Sequence, residues 1–386
     1  MAERQAYKDD FGAEGAAVLA KTIHAVHPEF PVREYVHEIA EAVEGLELKA
    51  RVRVMSAALR RHLPPTYEDA LAILVESLGP ELADDEGMFT HGWYLMPVAR
   101  FVEDYGLDSF DRSLAALREI TRRHTSEYAI RPYLVRYPEQ TLACLREWVH
   151  DPSPHVRRLV SEGTRPRLPW ASRLEAFARD PRPVVALLDH LVDDPSAFVR
   201  KSVANNLNDI SKDHPEYVLS TADRWLAQSA SERTTWIVRH GLRTLIKAGD
   251  QRALALLGVS GGDKAQLRNL VFSPSTVRLG ETVSFAFELH NADMREHSLI
   301  VDYLIHFARP RGRPYTQVFK LASMDLAAAD TRKIRKSHAF EPVRVRRYHP
   351  GPHRLEIRVN GAVVDGFDFE LLDGQETSVS PLLKAP

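Results

Sequence analysis

The chain of 386 residues carries 51 Lys and Arg against 53 Asp and Glu, a formal net charge of −2, which excludes a protein basic throughout. Any nucleic-acid surface must therefore be local. Hydrophobic residues at 44% and charged residues at 27% fit an ordinary soluble globular protein, and the length predicts two domains. The single cysteine, Cys144, excludes an intramolecular disulfide and a cysteine-rich zinc site, so a reducing cytoplasm is the expected compartment. No apolar run approaches the ~20 residues that span a bilayer, and MAERQAYKDDFGAEG has neither the basic start nor the apolar stretch of a signal peptide.

From Gly15 to about Gly258 the apolar spacing is helical. Val18, Leu19, Ile23 and Val26 follow the 3.6-residue period, as do Val52, Met55, Leu59 and Leu63. Short breaks such as His27-Pro28, Leu63-Pro64-Pro65, Tyr137-Pro138 and His214-Pro215 separate the segments, a pattern that predicts an α-solenoid rather than a bundle. His24 and His27 read as a surface pair, because no third ligand or H-E-x-x-H motif accompanies them.

An internal repeat supports the solenoid. Asp151-Pro152-Ser153 precedes Val156-Arg157-Arg158, Asp194-Pro195-Ser196 precedes Val199-Arg200-Lys201, and Ser231-Glu232 precedes Val238-Arg239. The valines stand 43 and then 39 residues apart, close to the ~40–47-residue period of HEAT-type helical pairs. The Asp or Ser is expected to cap a helix whose first turn holds the Pro. Val then faces the core and the following Arg and Lys face outward. Arg157, Arg158, Arg165, Arg167, Arg200, Lys201, Lys212, Arg239 and Arg243 recur in successive repeats, so the expectation is a cationic stripe tracking a phosphate backbone.

Near Gly258 the pattern changes to alternation. Val283, Phe285, Phe287 and Leu289 share one face, as do Leu299, Val301, Tyr303, Ile305 and Phe307, and then Leu355, Ile357 and Val359. Asn360-Gly361 is a hairpin signal. An immunoglobulin-like β-sandwich without the Cys–Trp–Cys core is predicted. The expected organisation is a helical solenoid over 1–258, a linker over 259–266, a sandwich over 267–372 and a flexible tail over 373–386. Gly258-Val259-Ser260-Gly261-Gly262 matches a nucleophile elbow in letters only, since a helix precedes it and β structure follows. Basic clusters at Arg309, Arg311 and Arg313, at Arg332, Lys333, Arg335 and Lys336, and at Arg344, Arg346 and Arg347 are expected at strand ends and loops, where they suit a DNA clamp.

Acidic residues lie among the basic ones of the helical half. Glu162 stands six positions after Val156 and Asp209 ten after Val199, a difference of about one turn, so both face a similar direction. Glu127 stands one turn before Arg131. On spacing alone these are ordinary i,i+3 and i,i+4 ion pairs worth ~0.2–0.5 kcal/mol each.

The strings SEYAIRP (126–132), SEGTRPRLPW (161–170) and VANNLND (203–209) closely resemble AlkC-type DNA glycosylases, HEAT-like-repeat enzymes related to AlkD. The resemblance covers most of the helical region, and some AlkC proteins carry a C-terminal immunoglobulin-like domain. It implies a monofunctional enzyme that removes 3-methyladenine and 3-methylcytosine from double-stranded DNA without flipping the base into a deep pocket. By the resemblance Glu127, Glu162 and Asp209 are the acidic site candidates and Trp170 an aromatic wall against the deoxyribose. Asp209 is taken to orient water and Glu162 to support charge. Arg131 joins the DNA-binding candidates. No metal, cofactor or lyase lysine is expected, nor any membrane contact, and the protein is expected to act as a monomer. The rival is a non-catalytic HEAT scaffold that binds DNA or a protein partner.

Overall fold

The computed structural model describes residues 6–84, 86–229, 231–341 and 348–373. The chain divides into two compact units, Met1–Leu242 and Arg243–Pro386.

The first unit is helical: α1 (Ala13–Val26), α2 (Val32–Ala42), α3 (Leu48–His62), α4 (Tyr67–Glu76), α5 (Met96–Tyr105), α6 (Phe110–Thr121), α7 (Arg131–Arg136), α8 (Pro138–Trp148), α9 (Pro154–Gly163), α10 (Glu175–Arg179), α11 (Arg182–Leu188), α12 (Ala197–Ile210), α13 (Pro215–Gln228) and α14 (Glu232–Gly241). Pro138 and Pro215 open α8 and α13, where a missing N–H costs nothing. Helix α9 packs on α12 and α12 on α14, so equivalent helices of successive repeats stack as in a solenoid. Val156, Val199 and Val238 are buried, as the repeat requires.

The Asp-Pro-Ser segments do more than cap. Pro152 and Pro195 precede the helices rather than opening them, because the N-caps are Ser153 and Ser196. Asp151 accepts the Ser153 N–H and Asp194 the Ser196 N–H, both at 2.9 Å, which turns the chain into each helix. The same carboxylates receive arginines from the preceding repeat: Arg118 Nε reaches Asp151 at 2.7 Å, and Arg157 Nε reaches Asp194 at 2.7 Å. Arg157 and Arg200 also fold back onto the carbonyls of their own Asp-Pro pairs at 2.7–3.0 Å. The outward stripe is therefore corrected at several positions. Arg157 is a half-buried staple to the next repeat, Arg200 is half-buried against its own Asp-Pro carbonyls, and Arg158 is buried, whereas Lys201 and Arg239 are exposed.

The second unit holds α15 (Arg243–Ala248) and α16 (Gln251–Leu256), followed by β1 (Ala265–Ser273), β2 (Thr276–Arg278), β3 (Thr282–Asn291), β4 (His297–Phe307), β5 (Tyr315–Leu326), β6 (Thr331–Ala339), β7 (Gly351–Val359) and β8 (Ala362–Leu372). One sheet runs β1-β3-β6 and the other β2-β8-β7-β4-β5. The alternating apolar residues named above for β3, β4 and β7 fill the core between them. Asn360 and Gly361, with φ of 45° and 82°, make the tight β7–β8 turn.

The division falls at Leu242 rather than Gly258 because the last two helices pack on the β unit. Leu254 and Val259 cluster with Ile300 of β4, and Arg358 joins Asp302 to the Lys247 carbonyl. Arg243 therefore belongs to the C-terminal unit, where it is half-buried. Arg311 and Arg313 are exposed in the β4–β5 loop, as expected. Arg332, Lys333, Arg335 and Lys336 instead lie along β6, an edge strand, where charged side chains also discourage strand addition. Arg344, Arg346 and Arg347 lie outside the described residues, as does nearly all of the predicted tail.

Candidate active site

Three carboxylates and three cations alternate through the helical unit. Arg158 Nη1 lies 2.9 Å from Glu127 Oε2, and Arg158 Nη2 lies 3.7 Å from Glu162 Oε1. Arg165 Nη1 reaches the same Glu162 oxygen at 2.7 Å, and its Nε reaches Asp209 Oδ2 at 2.8 Å. Lys212 Nζ closes the chain on Asp209 Oδ1 at 3.0 Å. Of the pairs that one-turn spacing allows, Arg158–Glu162, Glu162–Arg165 and Asp209–Lys212 form and are linked across repeats into one network, whereas Glu127 pairs with Arg158 and Arg131 turns to backbone carbonyls instead. Glu127, Glu162, Asp209, Arg158 and Arg165 are buried, so their charges are coupled far more strongly than surface pairs.

Two of the carboxylates are also fixed by a neutral hydroxyl. Thr125 Oγ1 donates to Glu127 at 2.9 Å, and Ser202 Oγ donates from α12 to Glu162 Oε2 at 2.6 Å. Asn206 Nδ2 donates to the Ser161 carbonyl at 2.7 Å, which seats the end of α9 on α12. The Arg158 guanidinium rests 4.6 Å from the Phe198 ring centroid. Burial pushes the Glu162 carboxyl up, yet Arg158, Arg165 and the Ser202 hydroxyl together hold it below its ordinary range. Burial works against the Arg165 charge, but Glu162 and Asp209 outweigh it and raise the pKa further.

A cleft of ≈ 1080 Å³ opens beside this network, and Glu127, Tyr128, Arg131 and Trp170 line it. Glu162 and Asp209 are not on its wall. Every oxygen of those two accepts a donor, whereas Glu127 Oε1 takes no hydrogen bond among the described residues. That arrangement runs against Asp209 as the water-orienting group: it is 2% exposed and both its oxygens are committed to cations.

Trp170 is 74% exposed and sits at φ +64°, a backbone region that bulky residues seldom occupy. Five hydrogen bonds hold its loop. Arg131 donates to the carbonyls of Gly163, Arg165 and Ser172 at 2.6–3.0 Å, and Tyr128 Oη donates to the Pro169 carbonyl at 3.4 Å. Lys49 Nζ donates to the Trp170 carbonyl and lies 5.1 Å from the Tyr128 ring centroid. Arg131 is thus a buried brace rather than a phosphate ligand, and burial, then the neighbouring Arg165 charge, pull its pKa down to about 10. Burial and the flanking Glu127 push the Tyr128 hydroxyl up to about 12.

The remaining cationic candidates separate by partner. Arg167 is bidentate on Asp213, with bonds of 2.8 and 3.2 Å, and Arg158 and Arg165 belong to the internal network. Lys201, Arg239, Arg311 and Arg313 are exposed, while Arg332 and Lys333 are exposed beside Asp330 and Glu288 at 3.9 and 3.4 Å. Sequence reasoning missed several cations on the cleft itself, among them Lys49, Arg53 and Arg136. The basic run of α3, LKARVRVMSAALRRH, carried a signal for the first two. It also missed Phe89, which lines the same cleft and had no periodic signal around it.

No helix among the described residues is long and apolar enough to cross a membrane. A family model described as DNA alkylation repair enzyme matches residues 115–245, and one described as the C-terminal Ig-like domain of uncharacterised protein YhaZ matches 266–373. The uncharacterized protein YhaZ of Bacillus subtilis (strain 168) is 36% identical over 365 residues, covering 94% of this chain and 99% of that protein. Among solved structures, the Pseudomonas fluorescens alkylpurine DNA glycosylase AlkC, bound to DNA containing an abasic site analog, is 35% identical. It aligns with a TM-score of 0.86 over 95% of this chain and 100% of its own. A helical-repeat unit with a buried carboxylate–arginine network, an immunoglobulin-like unit behind it in sequence, and full-length likeness to AlkC and YhaZ together assign this chain to the AlkC-type DNA alkylation repair family.

Proposed function

We propose that the protein is a monofunctional DNA glycosylase that hydrolyses the N-glycosidic bond of cationic N3-alkylated bases, 3-methyladenine and 3-methylcytosine, in duplex DNA. The observation that carries this reading is Glu127: a buried carboxylate on the cleft wall with one oxygen committed to Arg158 and Thr125 and the other unengaged. Alkylation at N3 makes the base cationic, so the C1′–N bond breaks with its electron pair leaving on a neutral base, and no general acid is required. The sugar becomes oxocarbenium-like and needs negative charge near C1′ together with an oriented water. Glu127 Oε1 is suited to hold that water and take its proton as the C1′–O bond forms. Glu162 and Asp209 act behind it, fixing Arg158 and Arg165 so that the Glu127 carboxylate is held in place.

Trp170, exposed and braced, suits packing against the deoxyribose. These groups address the sugar rather than the base, which fits excision without enclosing the base in a pocket. Lys201, Lys212, Arg239 and the cleft cations Lys49, Arg53 and Arg136 are assigned to backbone phosphates of a duplex bound by a monomer. Arg311, Arg313, Arg332 and Lys333 are assigned the same role from the immunoglobulin-like unit. Incubation with methylated duplex DNA should release free methylated bases and leave abasic sites with uncleaved strands. Duplex binding with no base released would favour the scaffold reading.

A further inference from the structure

Between α4 and the 3-10 turn at Trp93–Leu95, the described residues 77–84 and 86–92 are held from several sides. Leu82 N–H donates to the Arg122 carbonyl at 3.1 Å, and Arg123 Nε donates to the Gly79 carbonyl at 3.0 Å. His155 Nε2 stands 2.8 Å from the Asp84 carbonyl, and His124 Nδ1 stands 3.1 Å from the Met88 carbonyl. Met88 itself is buried, with its sulfur 3.9 Å from Arg158 Nη1 of the carboxylate network. Its neighbour Phe89 is turned outward, 48% exposed, with its ring edge-on to His124 at 6.1 Å and 87°. Phe89 lines the same cleft as Glu127 and Trp170.

An apolar ring displayed on an anchored loop gains burial when a partner packs on it. Here the partner must fit a cleft that also presents a carboxylate, an exposed tryptophan and cations, which is the composition of a surface that stacks bases and follows phosphates. We propose that Phe89 is a base-stacking residue of this site: a nucleobase of the damaged duplex packs on its ring while Trp170 and Glu127 address the sugar. The inference rests on the glycosylase reading of the cleft. The stacked base is either the alkylated base or one opposite or beside it, and the two sources are separable by experiment.

The test uses the full chain and a duplex carrying a tetrahydrofuran abasic analogue, with 2-aminopurine opposite it or in either flanking position. A second arm measures kcat and KM for base release from methylated duplex. Phe89→Ala, Phe89→Leu and Phe89→Tyr are compared with wild type. If an opposite or flanking base stacks, one 2-aminopurine position is quenched on binding, Tyr keeps the response, and Ala and Leu both lose it. If the alkylated base stacks, no 2-aminopurine position responds, and kcat/KM falls roughly tenfold in Ala and Leu but not in Tyr. A Leu variant equal to wild type in both arms overturns the proposal, as does a Tyr variant as poor as Ala. The half-exposed ring should leave folding intact; were Ala to unfold, the Leu and Tyr pair still decides the question. Wild type that releases no base refutes the glycosylase reading instead, and the fluorescence arm, which involves no bond cleavage, still reads Phe89.

Discussion

At the scale of single residues, Arg158 carries the most. It holds Glu127 and Glu162 at once, so Arg158→Gln leaves two buried carboxylates short of counter-charge and should cost about 3–5 kcal/mol. The sign of its pH effect follows from Glu162, whose folded pKa lies below its unfolded value. Such a carboxylate contributes stability that is present above the ordinary carboxyl pKa and is lost as pH falls through the folded one. Removing Arg158 weakens that contribution, so the acid loss of stability should begin at higher pH in the variant. Denaturant unfolding at several pH values between 7 and 4 checks this; parallel curves would contradict it. His124 works in a different window. Burial drives its pKa down from 6.5 to about 4, and the unfolded chain takes up the proton first. Its share of stability is therefore complete above about pH 6.5 and falls by about 3 kcal/mol toward pH 4. His124→Gln should flatten that slope, and an unchanged slope would show that the imidazole is not held neutral by the fold.

At the scale of elements, α9 is positioned by the absence of a side chain. A Cβ on Gly163 would lie 2.6 Å from Ile130 Cγ2, so Gly163→Ala must push α9 away from the turn carrying Glu127. The expected penalty is about 1–3 kcal/mol. Base release should fall as well, because Glu162 adjoins the displaced residue. Removing the Cγ2 branch in Gly163→Ala/Ile130→Leu should recover part of the melting temperature, and no recovery would place the strain elsewhere. Helices α9 and α12 were legible from their Asp-Pro-Ser starts and buried valines. The roles of Arg157, Arg158 and Arg200 were not, since within one repeat each looks like an outward-facing charge. Arg157 and Arg158 find carboxylates in the neighbouring repeat, which only stacking supplies, and Arg200 folds back onto the carbonyls of its own Asp-Pro pair. The carboxylates were similarly ambiguous: spacing yields the local pairs, and family resemblance singled out the three residues. Phe89 reaches the cleft through tertiary packing that no local pattern encodes, and only the basic run of α3 marked Lys49.

At the scale of the whole molecule, the alternation of β3, β4 and β7 announced a sandwich, whereas the helices joined to it did not announce themselves. Helices α15 and α16 share the helical periodicity of the first unit, so sequence alone moved the boundary to Gly258. A chain ending at Leu242 should fold as a helical protein with a single cooperative transition. A chain ending at Ala265 retains Leu254 and Val259 without Ile300 and should be less soluble than the shorter one. Gel filtration and circular dichroism of both truncations test this. The chain ending at Leu242 should also bind duplex DNA more weakly, with a shallower dependence on salt, because the exposed Arg311, Arg313, Arg332 and Lys333 are gone. Identical salt slopes would remove the immunoglobulin-like unit from the interface.

Everything turns on the Glu127 carboxylate, held by Arg158 and Thr125, working at the sugar of an alkylated nucleotide. Single-turnover release of 3-methyladenine and 3-methylcytosine from methylated duplex, by wild type and Glu127→Gln with DNA affinity measured alongside, tests it most directly. The account predicts release by wild type and a loss of about a hundredfold or more in the variant at nearly unchanged affinity. Release by Glu127→Gln at the wild-type rate, or none by wild type, would contradict it.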